Sequence, residues 1–289
     1  MSSLDRSPTR IAVDGTGLIG PRHAEAVVHE PRAELACIVD LNPAAQAVAE
    51  KFNCPLYESV EQMLSQSVKV DGALVCTPNH THVAVSKVLL KGGVATKQAL
   101  PSLGRIIAVN GPILINLIHE IDILHHWFGP ISRVLAEKTP SQRGYEAEEG
   151  AAITLRFVNG IVGTFVLSDA VVSPHNFEAG TGENPLIPRV GCDSYRIFGS
   201  EGSLSFPDMM RWMYPTKRSW NEHLQCEQVE VPEKRIPFEL QIEHFVNFIR
   251  GEESPSCSGR DGLRAVGVCA AIRKSMREGL PVNIPLEGT

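Results

Sequence analysis

The sequence predicts an α/β protein in two parts. A truncated parallel sheet with helices on both faces is expected over residues 1–103, and an α+β domain with a largely antiparallel, open sheet over residues 104–289. Three observations carry this. Short β-rich runs alternate with amphipathic helical patterns from Arg10 to Lys91. A glycine turn follows the first of those runs and opens a helix. From Gly104 onward, strand patterns instead follow one another across short turns such as "VNGIVG".

The chain of 289 residues is long enough for two domains of ordinary size, and 43% hydrophobic with 21% charged residues is a globular composition. The net charge is −6, and Lys and Arg are scattered without a basic stripe, which argues against nucleic-acid binding. The start "MSSLDRSPTR" has no apolar core of signal-peptide length, and no run approaches a membrane span. Seven cysteines without a Cys-x-x-Cys pair suit reduced thiols and a cytoplasmic protein better than a disulfide framework or zinc site.

The first strand, Arg10 to Asp14, feeds Gly15-Thr16-Gly17-Leu18-Ile19-Gly20, and an apolar-periodic helix follows through Ala24, Val27 and Val28. Strand, glycine turn and helix in that order are the setting in which a GxGxxG binds a dinucleotide. The first glycine makes the tight turn, the second admits the pyrophosphate, and the third lets helix and strand pack closely. Such turns also occur for structural reasons alone. The second strand, "AELACIVDLN", ends at Asp40, 20 residues beyond Gly20, where a carboxylate accepts hydrogen bonds from the adenosine ribose. No Arg follows it, so NAD is favoured over NADP. "PAAQAVAEKF" and "VEQMLSQ" read as helices around a short "CPLY", and "DGALVCT" as a strand closed by "PNHTH" before the helix "VAVSKVLLKGG". This is one half of a Rossmann-type sheet. Asp14 disturbs it: a carboxylate directly before Gly15 is either costly to bury or driven toward its neutral form, and when charged it opposes a pyrophosphate.

"RIIAV", "ISRVLAE", "AAITLRFV", "GIVGTFVLS", "SYRIFG", "GSLSF" and "EQVEV" read as strands of the second domain. "FELQIEHFVNFIRG" and "GLRAVGVCAAIRKSMREG" read as helices, each stopped by glycine. Between Asp169 and Asp193 lies a long Pro-, Gly- and Asn-rich segment, in which His175, Asn176, Glu178, Glu183 and Asn184 are either hydroxyl-binding groups or ordinary exposed polars.

Several of these stretches resemble the Gfo/Idh/MocA family of oxidoreductases: "IAVDGTGLIGPRHAEAV", "IVDLNPAAQAVA", "VCTPNHTHVAVSKVLLKGG", "INLIHEIDIL", "YRIFGSEGSLSF" and "GLRAVGVCAAIRKSMREGLPV". The resemblance implies NAD(P)-dependent hydride transfer on a sugar, a cyclitol or another small hydroxylated substrate. It also implies that Thr77, Pro78, Asn79 and His82 line the cofactor groove, and that copies pair through the outer face of the C-terminal sheet.

On the helix "GPILINLIHEIDILHHW", His119 is the candidate general base, its alternative being a packed helix histidine. Asp122, one turn on, is placed to stabilise the imidazolium. The family commonly has Asp four residues before the His, where this chain has Ile115, and the neighbouring Asn116 can orient a hydroxyl but not act as a base. A metal site built from His119, Asp122, His126, His80 and His82 would need the two sets to converge, so no metal is assigned.

The family's glycine turn normally leads into a strand ending Glu-Lys-Pro, followed by the second half of the sheet. Here "GGVATKQALPSLGRII" reads as an abrupt join near Ala95–Thr96, with Lys97 as a solvated lysine at a helix start, and a second join is expected at Gly111–Pro112. The expected protein is therefore a hydride-transferring oxidoreductase impaired by loss of the lysine, or a non-catalytic NAD- or ligand-binding pseudoenzyme of the same lineage.

Overall fold

The computed structural model describes residues 7–78, 81–98, 112–144, 148–182, 184, 186–233 and 235–285. The chain forms two compact units, residues 1–170 with 237–289, and residues 171–236.

In the first unit, β1 (Thr9–Asp14), β2 (Ala33–Val39), β3 (Leu56–Tyr57), β4 (Gly72–Val75) and β5 (Ala95–Gln98) form one five-stranded sheet in the order β3-β2-β1-β4-β5. Every pairing in it is parallel. The chain winds outward from β1 in one direction through β2 and β3, and in the other through β4 and β5. The order therefore reverses beside β1, the place where open α/β sheets leave a crevice for a ligand.

Alternation along β1 sends Ile11 and Val13 to one face and Ala12 to the other, so both faces are apolar and both are covered. On the first face lie α1 (Gly20–His29) and α2 (Ala45–Lys51), with α7 (Pro237–Ile249) added from far along the chain through Ile242, Phe245 and Val246. On the second lie α3 (Val60–Ser65) and α4 (His82–Lys91), which contribute Val60, Met63 and Leu89. Polar contacts pin α7 in place. Arg32 donates to Asn247 Oδ1 at 2.7 Å, and Arg250 donates to Thr9 Oγ1 at 3.1 Å and to the Arg32 carbonyl at 3.1 Å.

The same unit holds a four-stranded antiparallel sheet, ordered β13-β6-β7-β8, from β6 (Ile131–Lys138), β7 (Gly150–Phe157), β8 (Val162–Ser168) and β13 (Val282–Asn283). Its inner face packs on α8 (Gly259–Glu278), which in turn packs on α5 (Pro112–Phe128). Ser258 and Asp261 close a capping box at the start of α8, and Gly279, left-handed at φ 66°, ends it. Ser275, fully buried, accepts from the Ala136 amide at 2.9 Å and donates to the Leu280 carbonyl at 2.7 Å, which fixes α8 against the sheet.

The second unit contains α6 (Phe177–Thr181) and an antiparallel sheet β12-β11-β10-β9 from β9 (Tyr195–Phe198), β10 (Gly202–Phe206), β11 (Met210–Met213) and β12 (Gln225–Gln228). The antiparallel strands thus divide between two sheets where the sequence was read as one. All seven cysteines are free thiols. No helix among the described residues is long and apolar enough to cross a membrane.

One expectation needs correcting here. The strand after Gly93 does not stop at its first residues: Ala95 to Gln98 pair with Gly72 to Val75, so Lys97 belongs to edge strand β5 and not to a helix start. Thr96, Lys97 and Gln98 lack the apolar run that would mark a strand, but an edge strand needs backbone pairing more than it needs apolar side chains. The segment 99–111, with both the 103/104 boundary and the predicted strand "RIIAV", lies outside the described residues.

Candidate functional site

At the carboxyl rim of the parallel sheet, the turn after β1 meets the turn after β4. Gly15 has φ +97°, and a Cβ there would sit 2.7 Å from the Cys76 carbonyl carbon and 2.7 Å from the Thr77 amide nitrogen. Only glycine allows both the left-handed backbone and this approach. A Cβ on Gly20 would collide with the Gly15 carbonyl, so helix α1 starts hard against the turn. Gly17 differs, because a Cβ there would meet nothing within 4 Å. The first and third glycines serve packing, and the second borders open space.

Helix α1 begins at that space with no side-chain cap at Ile19 and no acidic residue in its first turn. Pro21 carries no N–H, and the Arg22 and His23 amides donate to the Ile19 carbonyl at 3.1 and 3.2 Å, so what the helix start offers an anionic ligand is chiefly the positive end of its dipole. Leu18 is 70% exposed beside Gly17, and Leu41 is 80% exposed just beyond Asp40. Leu41 was not among the residues picked from sequence.

Asp40 ends β2 and is tied to the glycine turn. Its Oδ2 accepts from the Thr16 amide at 2.6 Å and from Thr16 Oγ1 at 2.6 Å, and its Oδ1 accepts from the Asn42 amide at 2.8 Å. Burial works against the charge, but the bonds from Thr16 and Asn42 outweigh it and hold the carboxyl below the usual range. Asp40 is therefore ionised at neutral pH, with acceptor capacity remaining on Oδ1. These residues fit the adenosine side of a dinucleotide.

Asp14 fits it poorly. It is 5% exposed, and its Oδ2 has no hydrogen-bond partner. Burial, then the charges of Asp40 and Glu61, push its carboxyl up to about 7.

Across the crevice, Thr77 and Pro78 form the turn after β4. Thr81 Oγ1 donates to the Pro78 carbonyl at 2.7 Å and lies 2.7 Å from Thr77 Oγ1. His82 is 1% exposed, with Nε2 against the Thr77 carbonyl. It braces the turn from beneath. Asn79 and His80 lie outside the described residues.

The remaining predicted residues sit on α5. His119 is partly buried, and desolvation lowers its pKa below that of a free imidazole, which leaves it neutral and able to accept a proton. Asp122 does not pair with it. The groups acting on Asp122, after burial has raised its pKa, are Cys257 with Sγ at 3.7 Å, then Asp261 and His126. Helical spacing brings i and i+3 together only roughly, and the segment leading into α8 supplies Asp122 with the Cys257 thiol instead. Asn116 lies one turn before His119 on the same helix. Glu120 was not singled out from sequence. Its Oε2 is buried without a partner, and burial pushes its carboxyl up to about 7. The structure thus gathers Gly15 to Gly20, Asp40, Thr77 and Pro78 at one rim, and His119, Asp122 and Asn116 on one helix. No cluster of three or more His, Cys, Asp or Glu among the described residues could hold a metal ion.

Residues 9–98 match the model of an oxidoreductase family's NAD-binding Rossmann fold, and residues 108–284 match that family's C-terminal alpha/beta domain. The chain is 30% identical to inositol 2-dehydrogenase of Rhizobium meliloti (strain 1021) over 87 residues, which is 30% of this chain and 26% of that protein. It is 33% identical to D-glucoside 3-dehydrogenase of Escherichia coli (strain K12) over 95 residues, 32% of this chain and 27% of that protein. The matched stretch thus spans only about a quarter of either relative. Among solved structures, the WlbA dehydrogenase from Bordetella pertussis, in complex with NADH and UDP-GlcNAcA, superposes with a TM-score of 0.72 at 20% identity, covering 97% of this chain and all (100%) of that one. A levoglucosan dehydrogenase in complex with NADH superposes with a TM-score of 0.75 at 15% identity, covering 96% of this chain and 100% of that one.

The open space at Gly17 yields a direct test. Gly17→Ala is expected to leave the thermal midpoint of the ligand-free chain within about 2 °C while weakening NAD binding by about tenfold or more in a calorimetric titration. Unchanged affinity would place the pyrophosphate elsewhere. With both of its regions matched, the chain belongs to the Gfo/Idh/MocA oxidoreductase family, and residues 9–98 are its NAD-binding Rossmann fold.

Proposed function

We propose that this protein is an NAD-dependent oxidoreductase that moves a hydride between the nicotinamide and a sugar, cyclitol or similar small hydroxylated compound. The observation that carries the proposal is the rim at which Gly15 to Gly20 and Asp40 converge beside the Thr77–Pro78 turn. The names of the matched relatives, an inositol dehydrogenase and a glucoside dehydrogenase, support the substrate class. Asp40, ionised and free of a following Arg, favours NAD over NADP, since a 2′-phosphate would face a carboxylate.

Bound NAD supplies the hydride acceptor. The chain's own groups supply the rest. His119 Nε2 or Nδ1, neutral at pH 7, takes the hydroxyl proton as the C–H bond breaks. Asn116, one turn earlier on α5, is the residue proposed to orient the hydroxyl oxygen, and its side chain lies outside the described residues. Loss of the Glu-Lys-Pro lysine, together with the buried carboxyl of Asp14, favours one other reading, an NAD-binding protein without turnover.

Copies of the chain are proposed to associate through the outer face of the β6–β8 sheet. Val162 and Val166 there are 64% and 77% exposed and share that face with Ala152 and Thr154 of β7.

NADH formation followed spectroscopically over a panel of inositols and sugars separates the two functional readings. Turnover is expected, with kcat/KM rising as pH increases through an apparent pKa below that of free imidazole, because His119 must be deprotonated to act. His119→Ala should lower kcat by about a hundredfold or more. Binding of NAD without turnover on any compound selects the non-catalytic reading. For the association, sedimentation velocity should show a dimer or larger species that Val166→Lys dissociates; a monomer in the unaltered chain contradicts it.

A further inference from the structure

Asp14 has no role in the mechanism above, yet it occupies the most sensitive position in the cofactor loop. It is the last residue of β1, its backbone carbonyl accepts from the Cys76 amide at 2.7 Å, and its neighbour Gly15 begins the turn. It pairs across the sheet with Val39 on one side and Val75 on the other, and both of these are buried. Its side chain is therefore enclosed in an otherwise apolar layer, with Oδ2 unpartnered.

Among the described residues, the groups that act on Asp14 carry a like charge or none. Strand β2 brings Asp40, ionised, and the Cys37 thiol, which burial pushes up to about 12 and so keeps neutral. The turn after β4 brings the Cys76 thiol, also pushed up by burial. Helix α3 brings Glu61, whose charge acts on Asp14 in the same sense as that of Asp40. Helix α4 brings His82, whose Nε2 is engaged with the Thr77 carbonyl. The charges that act on Asp14 are both negative, and a pyrophosphate at Gly17 adds more of the same sign.

We propose that Asp14 makes dinucleotide binding proton-linked: the chain binds NAD with Asp14 in its neutral acid form and releases it as Asp14 ionises. The inference rests on the NAD-binding reading and deepens it by naming the group whose proton accompanies the ligand. The sign follows from linkage. The ligand's negative charge raises the carboxyl's affinity for its proton, so binding takes up a proton wherever free Asp14 is ionised, and affinity falls as pH rises. Because burial, Asp40 and Glu61 already hold the ligand-free carboxyl at about 7, the change falls within the physiological range.

The test is calorimetric titration of NAD into the full chain from about pH 5.5 to about pH 8.5, repeated near pH 7.5 in two buffers of different ionisation enthalpy. The expected Kd is flat at the acid end and weakens above about pH 7, approaching tenfold per pH unit, with a buffer-dependent enthalpy that reports proton uptake. Asp14→Asn should abolish the slope and the uptake, and bind about tenfold or more tightly than the unaltered chain at about pH 8.5. Asp14→Val, which restores an apolar residue under the turn, should do the same and guards against a folding defect peculiar to the amide. A slope that survives in both variants assigns the titration to another group and overturns the inference. So does a variant that binds NAD more weakly at high pH than the unaltered chain. If NAD binds none of the three chains at any pH, the cofactor reading fails and the inference falls with it; binding that is merely independent of pH overturns the inference alone.

Discussion

The contact on which this architecture depends is the one between Gly15 and the Cys76–Thr77 peptide. Two strands that are neighbours in space but lie some sixty residues apart in sequence end side by side, and their turns can touch only because Gly15 carries no side chain and adopts φ +97°. That approach lets α1 begin at the rim without a side-chain cap, and it brings Thr16 within reach of Asp40. Any side chain at Gly15 would push the two turns apart and take the groove with them. The rest of the parallel sheet acts to hold that rim: two apolar layers clamp β1 between helices, with α7 brought from far along the chain to complete one of them.

Charge at the rim is arranged with one exception. Asp40 is a carboxylate whose ionisation the fold supports with three hydrogen bonds, and it is placed to be met by hydroxyls. Asp14, a few ångströms of backbone away, is a carboxylate the fold supports with nothing at Oδ2. Two acids of identical chemistry are therefore driven in opposite directions by burial and hydrogen bonding. On α5 the same contrast recurs with different residues. Burial alone lowers the pKa of His119 and raises that of Glu120, so that it favours the neutral form of each.

Much of this was legible in the sequence, and the reasons differ from part to part. The β1–α1–β2 unit was readable because glycine spacing, strand pattern and the carboxylate at Asp40 agree with one another. The two C-terminal helices were readable because apolar periodicity ends at glycines, and Gly279 does take the left-handed conformation that stops α8. Strand β5 was misread because Thr96, Lys97 and Gln98 are polar, and a parallel edge strand is defined by pairing to β4 that no local pattern announces. Strands β11 and β13 and helix α6 are too short for a periodic signal, and each exists through its neighbours. The pairing of Asp122 with His119 was expected from helix spacing, but the packing of α8 on α5 brings Cys257, just ahead of α8, to Asp122 instead, a contact between residues far apart in sequence. Glu120 and Leu41 were missed because degree of burial, which makes one notable and leaves the other conspicuous, is a property of the fold.

The central claim is that one rim of the parallel sheet, and no other surface, receives the dinucleotide. Amide hydrogen exchange of the full chain with and without saturating NAD tests it directly. The account predicts added protection concentrated in the peptides that carry Gly15 to Gly20, Asp40 to Asn42 and Cys76 to Pro78, with little change in the β9–β12 sheet. Protection confined to that second sheet, or none in the Gly15 to Gly20 peptide at saturation, would contradict it.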